Sequence, residues 1–168
     1  MKKLFALVLS VILVVALVGC GGSSAKTKGE AKMKGTTETW GEISVFVPDG
    51  FEFHGGNITG VDDTDEKQCY MKKDPQSMYD YIWIVVKDDE ASAKSNVETT
   101  KDVNKAEDVT VKADNGEWTG CHYVYESYKG SVDCGAIYAT VDGKTIQVNF
   151  AGYAPESKEM KAVLSSLK

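Results

Sequence analysis

Residues 131–150 read SVDCGAIYATVDGKTIQVNF. Asp142-Gly143 sits in the middle of this stretch. An Asp-Gly pair tolerates the positive φ values of the tight turn whose twist matches two antiparallel strands. Beyond the turn, Ile146, Val148 and Phe150 alternate with polar residues, so the returning strand has one apolar face. A two-stranded hairpin is not stable alone in water, so this one needs neighbours. On its N-terminal side, residues 118–127 form another long strand, joined to 131–141 through Tyr128-Lys129-Gly130. Asp114-Asn115-Gly116 is a further hairpin signal, preceded by a strand at 109–113.

The same logic extends toward the N-terminus. Residues 42–47 alternate, with Ile43, Val45 and Val47 on one face and Ser44 and Phe46 on the other. Pro48-Asp49-Gly50 is a turn signal, after which Phe51 and Phe53 share a face. A short strand falls at 68–71, and Asp74-Pro75 breaks it. Residues 81–86 (YIWIVV) are apolar on both faces, which predicts a strand covered on both sides. Helical spacing of Ala93, Val97 and Thr100 predicts a helix over 88–104, with Asp88, Asp89 and Glu90 at its positive end. A last helix begins near Pro155, where Met160, Val163, Leu164 and Leu167 fall at i, i+3, i+4 and i+7. The fold class is therefore α+β: an antiparallel sheet of about seven strands with two helices packed on it.

The chain has 168 residues and a formal charge of −6, and all 19 of its basic residues are lysine. Arginine, the side chain suited to planar recognition of phosphate, is absent, and nucleic acid is excluded as a partner. Lys2 and Lys3 precede an apolar run, 4–18, interrupted only by Ser10. Fifteen residues reach about 22 Å as a helix, short of the roughly 30 Å of bilayer hydrocarbon, so the run reads as a secretory signal rather than a membrane span or core helix. Residues 20–37 are mostly Gly, Ser, Thr, Ala and Lys without apolar periodicity, a flexible tether. The organisation expected is a signal peptide at 1–19, a tether at 20–37 and one globular domain at 38–168. That domain holds 13 Lys against 24 Asp and Glu, whereas the tether carries Lys26, Lys28, Lys32 and Lys34 against Glu30 alone.

Two resemblances follow from these residues. Leu17-Val18-Gly19-Cys20 ends the apolar run and resembles the lipobox of bacterial lipoproteins. The resemblance implies that Cys20 receives a diacylglycerol, becomes the first residue of the mature chain and is further acylated. Two or more acyl chains hold stably where one is marginal. Val47-Pro48-Asp49-Gly50-Phe51 and the ending, residues 141–150 followed by a helix closing on Leu164-Ser165-Ser166-Leu167, resemble the PsbP/Mog1-like domains. That resemblance implies an antiparallel sheet with helices on both sides, and binding or assembly modules rather than a reaction.

Candidate chemistry is sparse. Cys69, Cys121 and Cys134 remain in the domain. With a turn centred on Lys129-Gly130, Cys121 faces Tyr138 and Cys134 faces Tyr125, an offset of about 13 Å, too far for a bridge unless a bulge or a different turn shifts the pairing. Buried small hydrophobes are the plainer reading. His122 follows Cys121, but adjacent strand residues point to opposite faces and cannot share one zinc ion. The only other histidine is His54. Asp62, Asp63, Thr64, Asp65 and Glu66 form an acidic loop in which Asp62, Asp63 and Asp65 are hard-oxygen candidates for a cation, although Lys67 stands where a further ligand belongs. A solvated loop is the plainer reading there too. Tyr123, Tyr125 and Tyr138 are a possible ligand face, with Tyr123 and Tyr125 on one side of a strand and Trp118 on the other; beneath a helix they would be core.

The function expected is a non-catalytic binding or assembly module with no cofactor. It is held through Cys20 on the extracytoplasmic face of the cell membrane, or on the outer membrane of a two-membrane envelope because Gly21 replaces the Asp of a retention signal. Its partners are the membrane and an envelope protein or small ligand. The rival readings are an envelope hydrolase using a cysteine or a metal, and a cation-dependent module built on loop 62–66.

Overall fold

The computed structural model describes residues 33–60, 64–128 and 130–168. The signal segment, Cys20, the tether through residue 32, Asp62 and Asp63 lie outside the described residues. The elements run β1 (Gly35–Trp40), β2 (Ile43–Pro48), β3 (Glu52–Gly55), β4 (Gln68–Lys72), β5 (Tyr81–Lys87) and α1 (Glu90–Asn104). They continue with β6 (Glu107–Ala113), β7 (Gly116–Ser127), β8 (Gly130–Val141), β9 (Lys144–Ala151) and α2 (Lys158–Ser166). The sequence-based tether ended at Thr37, yet Gly35, Thr36 and Thr37 open β1 and pair with Pro48, Val47 and Phe46. A run of Thr and Gly has no apolar signal, so its strand is set by its partner.

Strands β3 to β9 form one antiparallel sheet in the order β3-β4-β5-β9-β8-β7-β6, and β1 and β2 form a separate hairpin. The fold is α+β, as the patterning predicts. The β8–β9 turn is the one expected: Asp142 has φ 50° and Gly143 φ 82°, the backbone that selects Asp-Gly. Ser127 pairs with Gly130, so the β7–β8 pairing is not that of a turn centred on Lys129-Gly130. Cys121 therefore faces Ala136, and Tyr123 faces Cys134. The two residues become diagonal neighbours, a relation in which positions lie roughly 7–8 Å apart rather than 13 Å. All three cysteines are unpaired and buried.

Alternation divides the sheet into two faces. On one, Ile82 and Ile84 of β5, Ile146, Val148 and Phe150 of β9, and Trp118 of β7 meet β2 and α2. Ser157 caps α2, accepting from the Met160 amide, and the helix buries Met160, Val163 and Leu164. Each such side chain contributes about 1.5–3 kcal/mol of burial. The helix ends on the β6–β7 turn: the Asn115 amide donates to the carbonyls of Leu164 (2.7 Å) and Leu167 (3.0 Å), and its oxygen accepts from Trp118 Nε1 (3.2 Å). On the other face α1, capped by Asp89, buries only Ala93 and Val97. These pack on Cys121, Ala136 and Tyr138.

Candidate functional site

A helix with two small buried residues covers a narrow strip. Beyond that strip the α1-side face of the sheet stays open, and the register fixes what it shows. His54 pairs with Tyr70, Tyr70 with Trp83, and Trp83 with Asn149, in one row across four strands. In the next row Tyr81 pairs with Ala151, Ala151 with Cys134, and Cys134 with Tyr123. Neighbouring strands lie roughly 4.8 Å apart, so His54, Tyr70 and Trp83 stand on three adjacent strands, while Ala151 and Cys134 separate Tyr81 from Tyr123. Tyr70, Tyr81, Trp83 and Tyr123 are each partly buried. Residues 81–86 thus depart from the expectation of a strand covered on both sides. Ile82 and Ile84 are core, while Tyr81 and Trp83 point to the open face.

At the β3 edge the surface deepens into a cavity of about 470 Å³ lined by Phe53, His54, Gly55, Asn57, Gly60 and Tyr70. There the His54 and Tyr70 rings stack at 4.9 Å, and Lys72 Nζ lies 5.7 Å from the Tyr70 centroid. At the other end Tyr79 stacks on Tyr125 at 5.2 Å. Between them Trp83 Nε1 is buried with no hydrogen-bond partner among the described residues. Its register neighbour Asn149 accepts from Gln147 Nε2 (2.8 Å), which leaves the Asn149 amide nitrogen without a partner among the described residues. A buried donor without an acceptor costs about 1–3 kcal/mol.

The surface carries little charge. Burial pushes the Tyr123 phenol up to about 12. Burial also raises Tyr81 and Cys134, so all three are neutral at pH 7. Lys72 and Glu52 at the border cancel, and Glu52 lies 3.8 Å from His54. Aromatic rings with unpaired N–H donors and no net charge suit a ligand that stacks and accepts hydrogen bonds.

The three tyrosines singled out from the sequence separate. Tyr123 lies on the open face, Tyr125 lies at its end with 43% exposure, and Tyr138 is 9% exposed beneath α1. Trp83, Tyr81, Tyr70 and Asn149 were not anticipated. The signal was present in the run 81–84, where aromatic and aliphatic residues alternate and so segregate by face.

The remaining candidates are also placed. Cys121 donates to the Val97 carbonyl (3.7 Å) under α1, and His54 sits on β3, five strands away. His122 Nε2 lies 2.7 Å from Asp133 Oδ1, on the face opposite Cys121. Burial raises the Cys121 thiol and pushes Cys69 up to about 12, the reverse of what a nucleophile needs. The Asp65 carboxylate accepts from Gln68 Nε2 and from the Lys67 amide, which hold it below the usual carboxylate range. Its carbonyl accepts from Trp40 Nε1 (2.9 Å). Asp65 therefore fixes the start of β4, beside a cavity of about 460 Å³ lined by Glu42, Thr64, Asp65, Glu66, Lys67 and Val86. Among the described residues there is no cluster of three metal-ligating side chains, and no helix is long and apolar enough to cross a membrane.

No family model and no curated protein matches this chain. Among solved structures it is similar to a protein from Bacteroides thetaiotaomicron, at 14% identity and a TM-score of 0.51, over 81% of this chain and 48% of that one. This chain thus spans about half the length of that protein. It also aligns with the solution structure of a cyanobacterial PsbP (CyanoP) from Synechocystis, at 14% identity and a TM-score of 0.45, over 87% of this chain and 97% of that one. The Bacteroides likeness is one of fold alone.

Proposed function

We propose that this protein is a lipid-anchored extracytoplasmic lipoprotein whose PsbP/Mog1-like domain is a non-catalytic binding or assembly module. Cys20, at the end of the lipobox Leu17-Val18-Gly19-Cys20, carries the acyl chains. The ligand or envelope partner sits on the open aromatic face. One observation carries the binding role: Trp83 holds a buried indole N–H with no partner among the described residues, at the end of the His54–Tyr70–Trp83 row of rings, and no described helix covers that row. A protein keeps such a costly donor where a ligand satisfies it. The acceptor is a carbonyl or hydroxyl on an uncharged or weakly charged group, because the face supplies no concentrated charge.

The hydrolase reading needs a thiol, an imidazole and a carboxylate within reach of one another, and Cys121 and His54 stand on strands β7 and β3. Two experiments test the proposal. Intact mass of the membrane-extracted protein is expected to show loss of residues 1–19 and gain of acyl chains, and Cys20→Ala to release the chain or leave it unprocessed. A photo-crosslinking residue at Lys72, beside Tyr70, is expected to capture a defined partner in whole cells. A probe at Lys112 on β6 is expected not to. Equal capture at both positions removes the aromatic face as the site.

A further inference from the structure

Five large hydrophobic side chains are exposed among the described residues: Met78, Val103, Val124, Tyr125 and Tyr128. Four of the five gather on one rim of the domain. Met78 is 78% exposed and Tyr128 87%. The Tyr79–Tyr125 stack joins the loop bearing Met78 to the tip of the β7–β8 hairpin, which bears Tyr128. Val124 and Tyr125 are neighbours on β7 and point to opposite faces, so each face of this tip carries an exposed apolar side chain, with Glu126 beside Val124. A surface packed against a flat protein partner would be apolar on one side. A tip with exposed apolar side chains on both faces and two tyrosines, beside the Glu126–Ser131 pair, suits a boundary that is part apolar and part polar, and tyrosine favours the boundary between lipid headgroups and acyl chains.

The chain enters the domain at the same rim. Gly35, the first residue of β1, pairs with Pro48. The Phe51 amide donates to the Pro48 carbonyl (3.1 Å), and the Phe51 ring lies 5.4 Å from Tyr153. The Tyr153 hydroxyl donates to Asp80, the residue after Tyr79. An unbroken line of contacts therefore runs from the point of chain entry to Tyr79 and Tyr125. Residues 20–34 separate Cys20 from β1, and a Gly- and Ser-rich composition of that length corresponds to an r.m.s. span of roughly 20 Å. Strand β8 starts at this rim and runs away from it for 12 residues, or about 40 Å at roughly 3.3 Å each. A tether fixed in a membrane by Cys20 keeps the rim near the lipid and holds the β8–β9 turn far from it.

We propose that the rim formed by Met78, Tyr125, Tyr128 and Val124 inserts into the headgroup–acyl boundary of the bilayer, so that the domain stands on the membrane at the end where its tether enters. This rests on the lipid-anchored reading above. It leaves the His54–Tyr70–Trp83 row facing sideways and accessible. The contact is apolar, and the domain at 38–168 carries 13 Lys against 24 Asp and Glu. Anionic lipid is therefore not required.

The test uses the full-length, lipidated protein in phosphatidylcholine vesicles, with a nitroxide at Tyr128→Cys or at Thr140→Cys. Thr140 is exposed near the far end of β8, and the native cysteines of the domain are buried. Flotation with the vesicles shows anchoring. In floated protein the label at 128 is expected to become severalfold more accessible to oxygen than to a water-soluble nickel chelate, while the label at 140 stays aqueous. Replacing a third of the lipid with phosphatidylglycerol is expected not to increase this contrast. A floated protein whose label at 128 is as aqueous as that at 140 overturns the insertion and leaves the anchor standing. Spin–spin broadening between labels at 128 overturns it in favour of a second copy on the rim. Failure to float overturns the anchored reading and the insertion with it.

Discussion

Replacing Trp83 by phenylalanine separates a structural tryptophan from a functional one. The substitution deletes the buried Nε1–H that has no partner among the described residues, relieving about 1–3 kcal/mol. It also removes the apolar edge of a ring that is only partly buried, at a cost of about 1 kcal/mol at roughly 0.8 kcal/mol per buried CH₂. The net expectation lies between no change and about 2 kcal/mol of added stability. Trp118 is the internal control. It is fully buried in the core, and its Nε1 donates to Asn115. The same substitution there loses packing and a hydrogen bond together, about 2–4 kcal/mol. Urea unfolding followed by far-ultraviolet circular dichroism reads both, since the signal does not depend on the tryptophan removed. With a slope of about 1–3 kcal/mol per molar urea, the two midpoints move in opposite directions, or only the Trp118 midpoint falls. A loss of 1 kcal/mol or more in Trp83→Phe, with an unchanged slope, refutes the reasoning. The indole N–H would then be contributing to the fold rather than waiting for a ligand.

Asn115→Ala removes the amide that closes α2 and the acceptor of Trp118, and is expected to cost about 3 kcal/mol. That corresponds to a fall of roughly 10 °C in Tm, measurable by calorimetry. Asn115→Asp keeps the acceptor but sets a negative charge against the carbonyl end of the helix, so it is expected to be no better than alanine. Asp65→Ala is expected to cost about 1 kcal/mol at neutral pH. A folded carboxyl held below its unfolded pKa of about 3.9 stabilises above that pKa and loses the contribution as pH falls through its folded value. Melting curves of wild type and variant are therefore expected to converge as pH falls below the ordinary carboxylate range. A thiol-reactive chromogenic reagent at pH 8 is expected to find no fast-reacting cysteine in the folded domain and three after denaturation, because Cys69, Cys121 and Cys134 are all buried and raised.

The sheet was legible where local chemistry and global pairing agree. Asp142-Gly143 named its own turn, and the alternation of Ile146, Val148 and Phe150 named the face that packs on α2. Two things were not legible. The strand from Gly35 carries no apolar residue until Trp40, so only its pairing with β2 reveals it. The β7–β8 register turned on where the loop falls, and moving the turn by one position shifted the pairing by two, so that Cys134 faces Tyr123 rather than Tyr125. The candidate site failed to appear for a related reason. Patterning registers tryptophan and tyrosine as apolar, so 81–86 resembled a strand buried on both sides. Whether α1 reaches Trp83 depends on its sparse buried stripe, Ala93 and Val97, which sequence spacing detects but whose footprint it does not measure.

The three unpaired sulfurs have a consequence for biogenesis. A chain exported unfolded would present all of them to an oxidising surrounding, with nothing in the native state to reward a cross-link. Concealment must then outrun oxidation. The strand order β9-β8-β7-β6 is built from sequence neighbours, and Cys121 and Cys134 lie inside that block. Hairpins close in microseconds, whereas disulfide formation takes seconds or longer. Local topology would thus act as a shield in time, with the single distant seam, β5 against β9, closing last.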